Sequence, residues 1–184
     1  MEIIYLSNVL KVGYIMSKQT IKNSNKIDEK DNIRRGYIMC KAAEVGKIVV
    51  NKCLNKGIAI NTQKLQKLLV LMQVECIKRS GKALFKEDIR IWDCGVAIKE
   101  VDESFSEYGE GFTERQDEYI TLLEAEDESV DYIISKHGSK DAFELNLLPD
   151  NQKVIQLGVI PEGATVPHIN SQILTGAFYY NDIT

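Results

Sequence analysis

Few side chains in this chain have the types that do chemistry: two histidines, His137 and His168, and four cysteines, Cys40, Cys53, Cys76 and Cys94. A nucleophilic thiol needs a base within hydrogen-bond reach, so the pairings to weigh are Cys76 or Cys94 with His137. His137 falls on the apolar stripe of a predicted helix, near its C-terminus. There the negative end of the helix dipole favours an imidazolium or a carbonyl contact, which is a structural role. The cysteines are widely spaced and contain no C-x-x-C pair, a pattern that suggests neither a zinc site nor a disulfide framework. Reduced thiols in a cytoplasm are expected. No D-x-D-x-D-G loop, P-loop or dinucleotide glycine pattern occurs. The reading is of a non-enzymatic protein: no catalytic residue, no metal and no cofactor.

The chain of 184 residues is 44% hydrophobic and 27% charged, ordinary values for one compact domain with a tail. A net charge of −4 argues against wholesale binding to nucleic acid or to an anionic membrane and leans toward a protein partner. No apolar run reaches the roughly 18–20 residues that span a bilayer. Residues 1–16 lack a basic leading region and a small-residue cleavage site, so they make a poor secretory signal.

The elements that would position any site are organised around residues 62–80. Leu65, Leu68, Leu69, Met72 and Cys76 recur on a helical period, and Val70, Leu71 and Val74 widen the stripe. This helix should be central, capped by Asn61 or Thr62 and closed at Gly81. Before it, residues 42–55 predict an amphipathic helix ended by Gly57. After it come a brief strand at 89–92, a helix over about 98–108 and a helix from Ser129 or slightly earlier to His137. A capping-box pattern, Asp141 with Glu144, opens a short helix to Leu148. Residues 154–160 are β-branched and loosely alternating, which predicts a strand. Residues 169–183 read as a strand or a docking tail. At the other end, residues 2–12 suit a short strand or a turn or two of helix, and 17–35 read as a linker. Met16 and Met39 each follow Gly-Tyr-Ile, and Arg34-Arg35-Gly36 is what a purine-rich ribosome-binding stretch encodes in frame, so translation is expected to start at Met39.

The run Lys64-Leu65-Gln66-Lys67-Leu68-Leu69 resembles the signature of the Panacea domain family, the SocA-like antitoxin group that is also phage-associated. Gly57-Ile58-Ala59-Ile60 is similar to that family's extended lead-in, Ser80-Gly81-Lys82-Ala83-Leu84-Phe85 to its Gly-x-x-Leu-Phe, and Glu87-Asp88-Ile89 through Trp92 to its acid-Ile-x-x-Trp. Tyr132 through Gly138 with Leu145 resembles its last helices, so the likeness covers about residues 42–148. The chain departs from the family at Asp93-Cys94-Gly95-Val96, where Tyr-Gly-Pro-Val is usual, and at Val70-Leu71 in place of Tyr-Phe. It also lacks the Leu-Thr-His segment. The resemblance implies a helical module that neutralises a cognate toxin by direct contact, encoded in a phage, prophage or toxin–antitoxin locus. The expected organisation is an N-terminal extension or linker (1–38), a Panacea-like helical domain (39–148) and a divergent C-terminal segment packed on it (149–184). The expected fold class is mainly α (α+β), a compact multi-helix domain around a central buried helix with a small β element.

Aromatic anchors dominate protein interfaces, which makes Trp92, Phe105, Tyr108, Phe112 and Tyr179 the candidates for partner contact. Of these, Trp92 and Phe105 are expected in the core in preference to an interface, whereas Tyr108 and Phe112, beside a glycine turn, suit either role. Glu124, Glu126, Asp127 and Glu128 read as a solvated helix start favoured by the dipole, or as a docking patch for a basic partner. An alternative class is a phage regulator or counter-defence protein contacting DNA or a host immune factor. Gln63, Lys64, Gln66 and Lys67 on a helix after a short turn would supply the DNA contacts, although Lys64 and Lys67 are expected instead on the solvated side of that helix.

Overall fold

The computed structural model describes residues 39–180; the expected short element at 2–12 and the linker at 17–35 lie outside them. Among the described residues, seven α-helices and three short strands follow in order: α1 (Ala42–Asn55), α2 (Thr62–Ser80), β1 (Ile89–Trp92), β2 (Gly95–Ala97), α3 (Lys99–Phe105), α4 (Glu124–His137), α5 (Ala142–Asn146), α6 (Pro149–Leu157), β3 (His168–Ile169) and α7 (Ser171–Thr175). The architecture is mainly helical with a small antiparallel sheet of order β2-β1-β3. Among the described residues, no helix is long and apolar enough to cross a membrane.

The 19-residue helix α2 is the hub. Its start is set by Asn61, whose side chain accepts from the Lys64 N–H, and its end by Gly81, whose φ of 69° only glycine adopts cheaply. Leu65, Leu68, Leu69, Val70, Met72, Val74 and Ile77 are all fully buried. The helix touches α1, α3, α4, α5, α6, α7 and β2, so apart from Gln63 and its last turn little of it faces solvent. Each buried leucine is worth roughly 1.5–3 kcal/mol.

Surrounded in this way, α2 buries its polar residues too, which corrects the expectation that Lys64 and Lys67 face solvent. Thr62 Oγ1 donates to the Phe105 carbonyl at 2.6 Å, Lys64 Nζ to the Ala59 carbonyl at 2.7 Å, and Lys67 Nζ to the Val96 carbonyl at 2.7 Å. Gln66 accepts from the Ile98 N–H at 2.9 Å. Gln73 accepts from the N–H groups of Leu84 and Phe85. These side chains serve backbone groups in the connections around the helix, where an unpaired buried group would cost about 1–3 kcal/mol.

Two C-terminal expectations are corrected. Residues 149–157 form α6, not a strand from 154: Pro149 sits at the first helical position, where its missing N–H is no loss, and so it starts a helix instead of merely breaking the chain. Helical spacing turns Asn151 and Val154 inward, and tertiary packing overrides the β-branched propensity. The stretch from 169 contributes only the two-residue β3 before turning into α7 and a wider turn over Gly176–Tyr180. This turn drives Phe178 into the core at 1% exposure, with Lys78 and Lys153 over its ring. The last four residues lie outside the described range.

The expected helix over 98–108 is α3 followed by one 3-10 turn, Ser106–Tyr108. Residues 109–123 then run as an irregular strap across α1, pinned by the 1%-exposed Asn51. That side chain accepts from the Gln116 N–H at 2.8 Å and donates to the Gln116 carbonyl and to Glu118.

Candidate functional site

Three places hold the side chains singled out in the sequence, and the fold does not bring them together. The first is the small sheet. In an antiparallel ladder, paired residues share a face and neighbours along a strand alternate. The register Arg90↔His168 and the bridge Val159↔His168 put Arg90, Trp92, His168 and Val159 on one face. Ile89, Ile169 and Val96 are buried on the other, toward the core. Trp92 is thus 46% exposed, which corrects the expectation that it is core. Val159 and Ile160 are exposed beside the same ladder. Cys94 lies exposed in the β1–β2 turn.

The second place is an aromatic cluster. Phe105 is in the core as expected, edge-on to Phe112 at 5.4 Å, and Tyr108 stacks on Phe112 at 4.4 Å. Phe112 is 5% exposed, so its ring is a core residue and is not presented as a surface anchor; Tyr108 is half-buried against it. The Phe112 N–H donates to the Ile60 carbonyl at 2.9 Å. This bond tethers the end of the strap to the lead-in of α2 and forms one wall of a cleft of about 630 Å³. The opposite wall is the turn Ser139, Lys140, Asp141 and Ala142, and the floor includes Asn61 and Lys64. Burial holds the Lys64 ammonium below the usual lysine range. Sequence reasoning missed this cleft. The signal available was a lysine in the first turn of a helix whose wide apolar stripe already marks it as central.

The third place is Tyr179, half-buried at the closing residue of α2. Its ring packs so closely on Gly81 that a side chain there would press on it. It meets the exposed Tyr180 edge-on at 5.4 Å.

No pairing of thiol and imidazole is formed. The Cys76 sulfur lies 3.9 Å from Ser80 Oγ, and burial pushes its thiol up. Burial likewise pushes the Cys53 thiol up to about 11. His137 departs from expectation: its Nδ1 is buried without a hydrogen-bond partner, and burial, aided by Lys136 and Lys140, lowers its pKa and favours the neutral ring. Among the described residues, no group of three or more His, Cys, Asp or Glu side chains could hold a metal ion.

The acidic start of α4 is only partly solvated. Glu126 is 5% exposed and accepts from the Leu123 N–H at 2.8 Å, while Asp127 pairs with Lys52 at 2.8 Å. Burial opposes a charged Lys52, but hydrogen bonds to Asp127 and Asp131 outweigh it and raise its pKa. This charge is spent inside the molecule, between α1 and α4, which weakens the docking-patch reading. The five aromatic candidates therefore divide into two with ring surface still available, Trp92 and in part Tyr179, and three committed to the aromatic cluster, Phe105, Tyr108 and Phe112. No family model matches the chain, and no curated protein or solved structure compared with it does.

Proposed function

We propose that this protein is a non-enzymatic binding module that captures another protein, in the manner of an antitoxin neutralising a cognate toxin by direct contact. The observation that carries the reading is Trp92, a large ring half-exposed on the outward face of the three-stranded sheet, with Arg90 next along the same face of its strand. Tryptophan and arginine at the centre of a patch are the residue types that dominate interface energetics. The sheet's inner face is anchored to α2, so the anchor is held without much entropy to lose on binding. The identity of the partner as a toxin rests on the motif resemblance alone.

The DNA alternative loses its specific support, because Lys64 and Lys67 point into the protein. Co-expression with the product of each flanking gene tests the proposal. The expected result is rescue of growth by one of them and co-purification with it, both abolished by Trp92→Ala at unchanged melting temperature. Failure with every flanking gene product rejects it, and a mobility shift on DNA that weakens steeply with salt would replace it with the regulator reading.

A further inference from the structure

The cleft between the lead-in of α2, the strap and the turn before α5 contains an arrangement that the binding reading does not use. Lys64 stands on its floor at 9% exposure. Its ammonium carries three N–H donors, and among the described residues its hydrogen-bond partner is the Ala59 carbonyl, a neutral group. No described carboxylate lies within 4 Å of its nitrogen, although buried cations are ordinarily paired. The buried Cys53 thiol and, after it, Asp141 are the acidic groups that act on it against burial, and the Asp141 carboxylate is occupied at the start of α5, where it accepts from the Glu144 N–H at 2.8 Å. The cleft's size falls within the roughly 300–1,000 Å³ typical of small-molecule sites, and Ile60, Phe112 and Ala142 give it an apolar wall.

Charge narrows the class of ligand. Lys64 and Lys140 share the cleft with Glu110 and Asp141, two cations and two carboxylates. A dianionic phosphate would meet both acidic groups, whereas a singly charged group can take the Lys64 ammonium and leave its remainder against the apolar wall. We infer that this cleft binds a carboxylate-bearing ligand of small size, with the Lys64 ammonium as the group that receives the carboxylate. A free short-chain acid and the C-terminal carboxylate of a peptide offer the same chemistry. The inference is independent of the protein-binding role given to the sheet face.

The experiment uses full-length protein and three probes: butyrate, N-acetyl-triglycine with a free carboxylate or as its amide, and inorganic phosphate. Amide shifts in a nitrogen-correlated NMR spectrum should appear at residues 59–61, 110–113 and 139–142 with butyrate, with the free tripeptide, or with both. Response to butyrate alone assigns a small acid; response to the free tripeptide and not its amide assigns a chain terminus. Lys64→Met, which keeps the length of the side chain and removes the charge, should weaken binding by about tenfold or more. Should that variant fail to fold, the side-chain nitrogen resonance of Lys64 in the unaltered protein decides the matter: bound carboxylate raises its titration midpoint. No shifts in the cleft, equal binding to the variant, response to phosphate in preference to the carboxylates, or an unmoved Lys64 titration would each overturn the inference.

Discussion

Gln73 holds both backbone polar groups of Phe85: its Nε2 donates to the Phe85 carbonyl at 3.0 Å and its Oε1 accepts from the Phe85 N–H at 3.1 Å. The same oxygen accepts from the Leu84 N–H at 2.7 Å. Gln73 is fully buried, so no water can replace it. Gln73→Leu should therefore destabilise by about 3 kcal/mol or more, since several buried backbone groups lose their partner together. Urea unfolding measures this, and a loss below about 1 kcal/mol would show that the 84–85 connection finds other partners.

Asn51 is expected to govern the strap separately from the core. Removing its amide in Asn51→Ala releases the Gln116 backbone groups while leaving the α1–α2 packing in place. Local opening then precedes global unfolding. Limited trypsin digestion should cut after the exposed Arg115 several-fold faster than in the unaltered protein. Equal cleavage rates would mean that Phe112 and Leu122 hold the strap without help.

Two aromatic truncations should part company. Phe105→Ala empties a position that is 2% exposed and supports both Tyr108 and Phe112, so a loss of about 3–5 kcal/mol is expected. Trp92→Ala removes a ring that already meets water over much of its area and should cost no more than about 1 kcal/mol. Calorimetric melting of both variants checks the contrast. A large loss at Trp92 would return that ring to a structural role and weaken its use as a binding anchor.

Alkaline pH probes the buried thiol of Cys53. Its folded-state pKa of about 11 lies above the ordinary 9.0, so on raising the pH the unfolded chain ionises first. The stability this contributes is whole below the unfolded value and is lost as pH climbs toward the folded one, roughly 2–3 kcal/mol in all. Lys64 and Lys67 slope the other way, because burial lowers their folded-state pKa and raising the pH relieves the cost of enclosing their charge. Subtracting the pH–stability curve of Cys53→Ala from that of the unaltered protein isolates the thiol. The difference should fall between about pH 8.5 and 11; a flat difference would show that water reaches the sulfur.

Cysteine labelling offers an independent check on the same interior. Cys94 is exposed and should react with a thiol reagent in the folded protein, whereas the buried Cys53 and Cys76 should react only in denaturant. Rapid native labelling of Cys76, followed by mass spectrometry, would contradict the packing of α2.

Helical periodicity read α1 and α2 to their exact ends, because Asn61, Gly57 and Gly81 punctuate long periodic runs with definite backbone chemistry. It failed where segments were short. Pro149 can stop one helix or start another, and only the inward packing of Asn151 and Val154 decides between them. Periodicity also misjudged the polar residues of α2, since an apolar stripe implies a wet opposite side only when nothing covers it. Here α3, β2 and the 84–85 connection cover it, and that depends on partners distant in sequence. The cleft was illegible for a related reason: its walls come from three separated stretches, and the local patterns they carry, such as the Asn61 and Asp141 caps, say nothing of the space between them.

The buried hydroxyl, amides and ammonium groups of α2 act as the teeth of a key. Leucines alone would let a cylinder enclosed along most of its length settle at several rotations about its axis, each nearly as comfortable as the next. Thr62, Gln66, Lys67 and Gln73 admit a single angle, because any other strands their tips in oil. A redesigned version with a wholly greasy α2 would therefore be expected to hold together and yet forget which way it faces, carrying the sheet and the cleft out of alignment with each other.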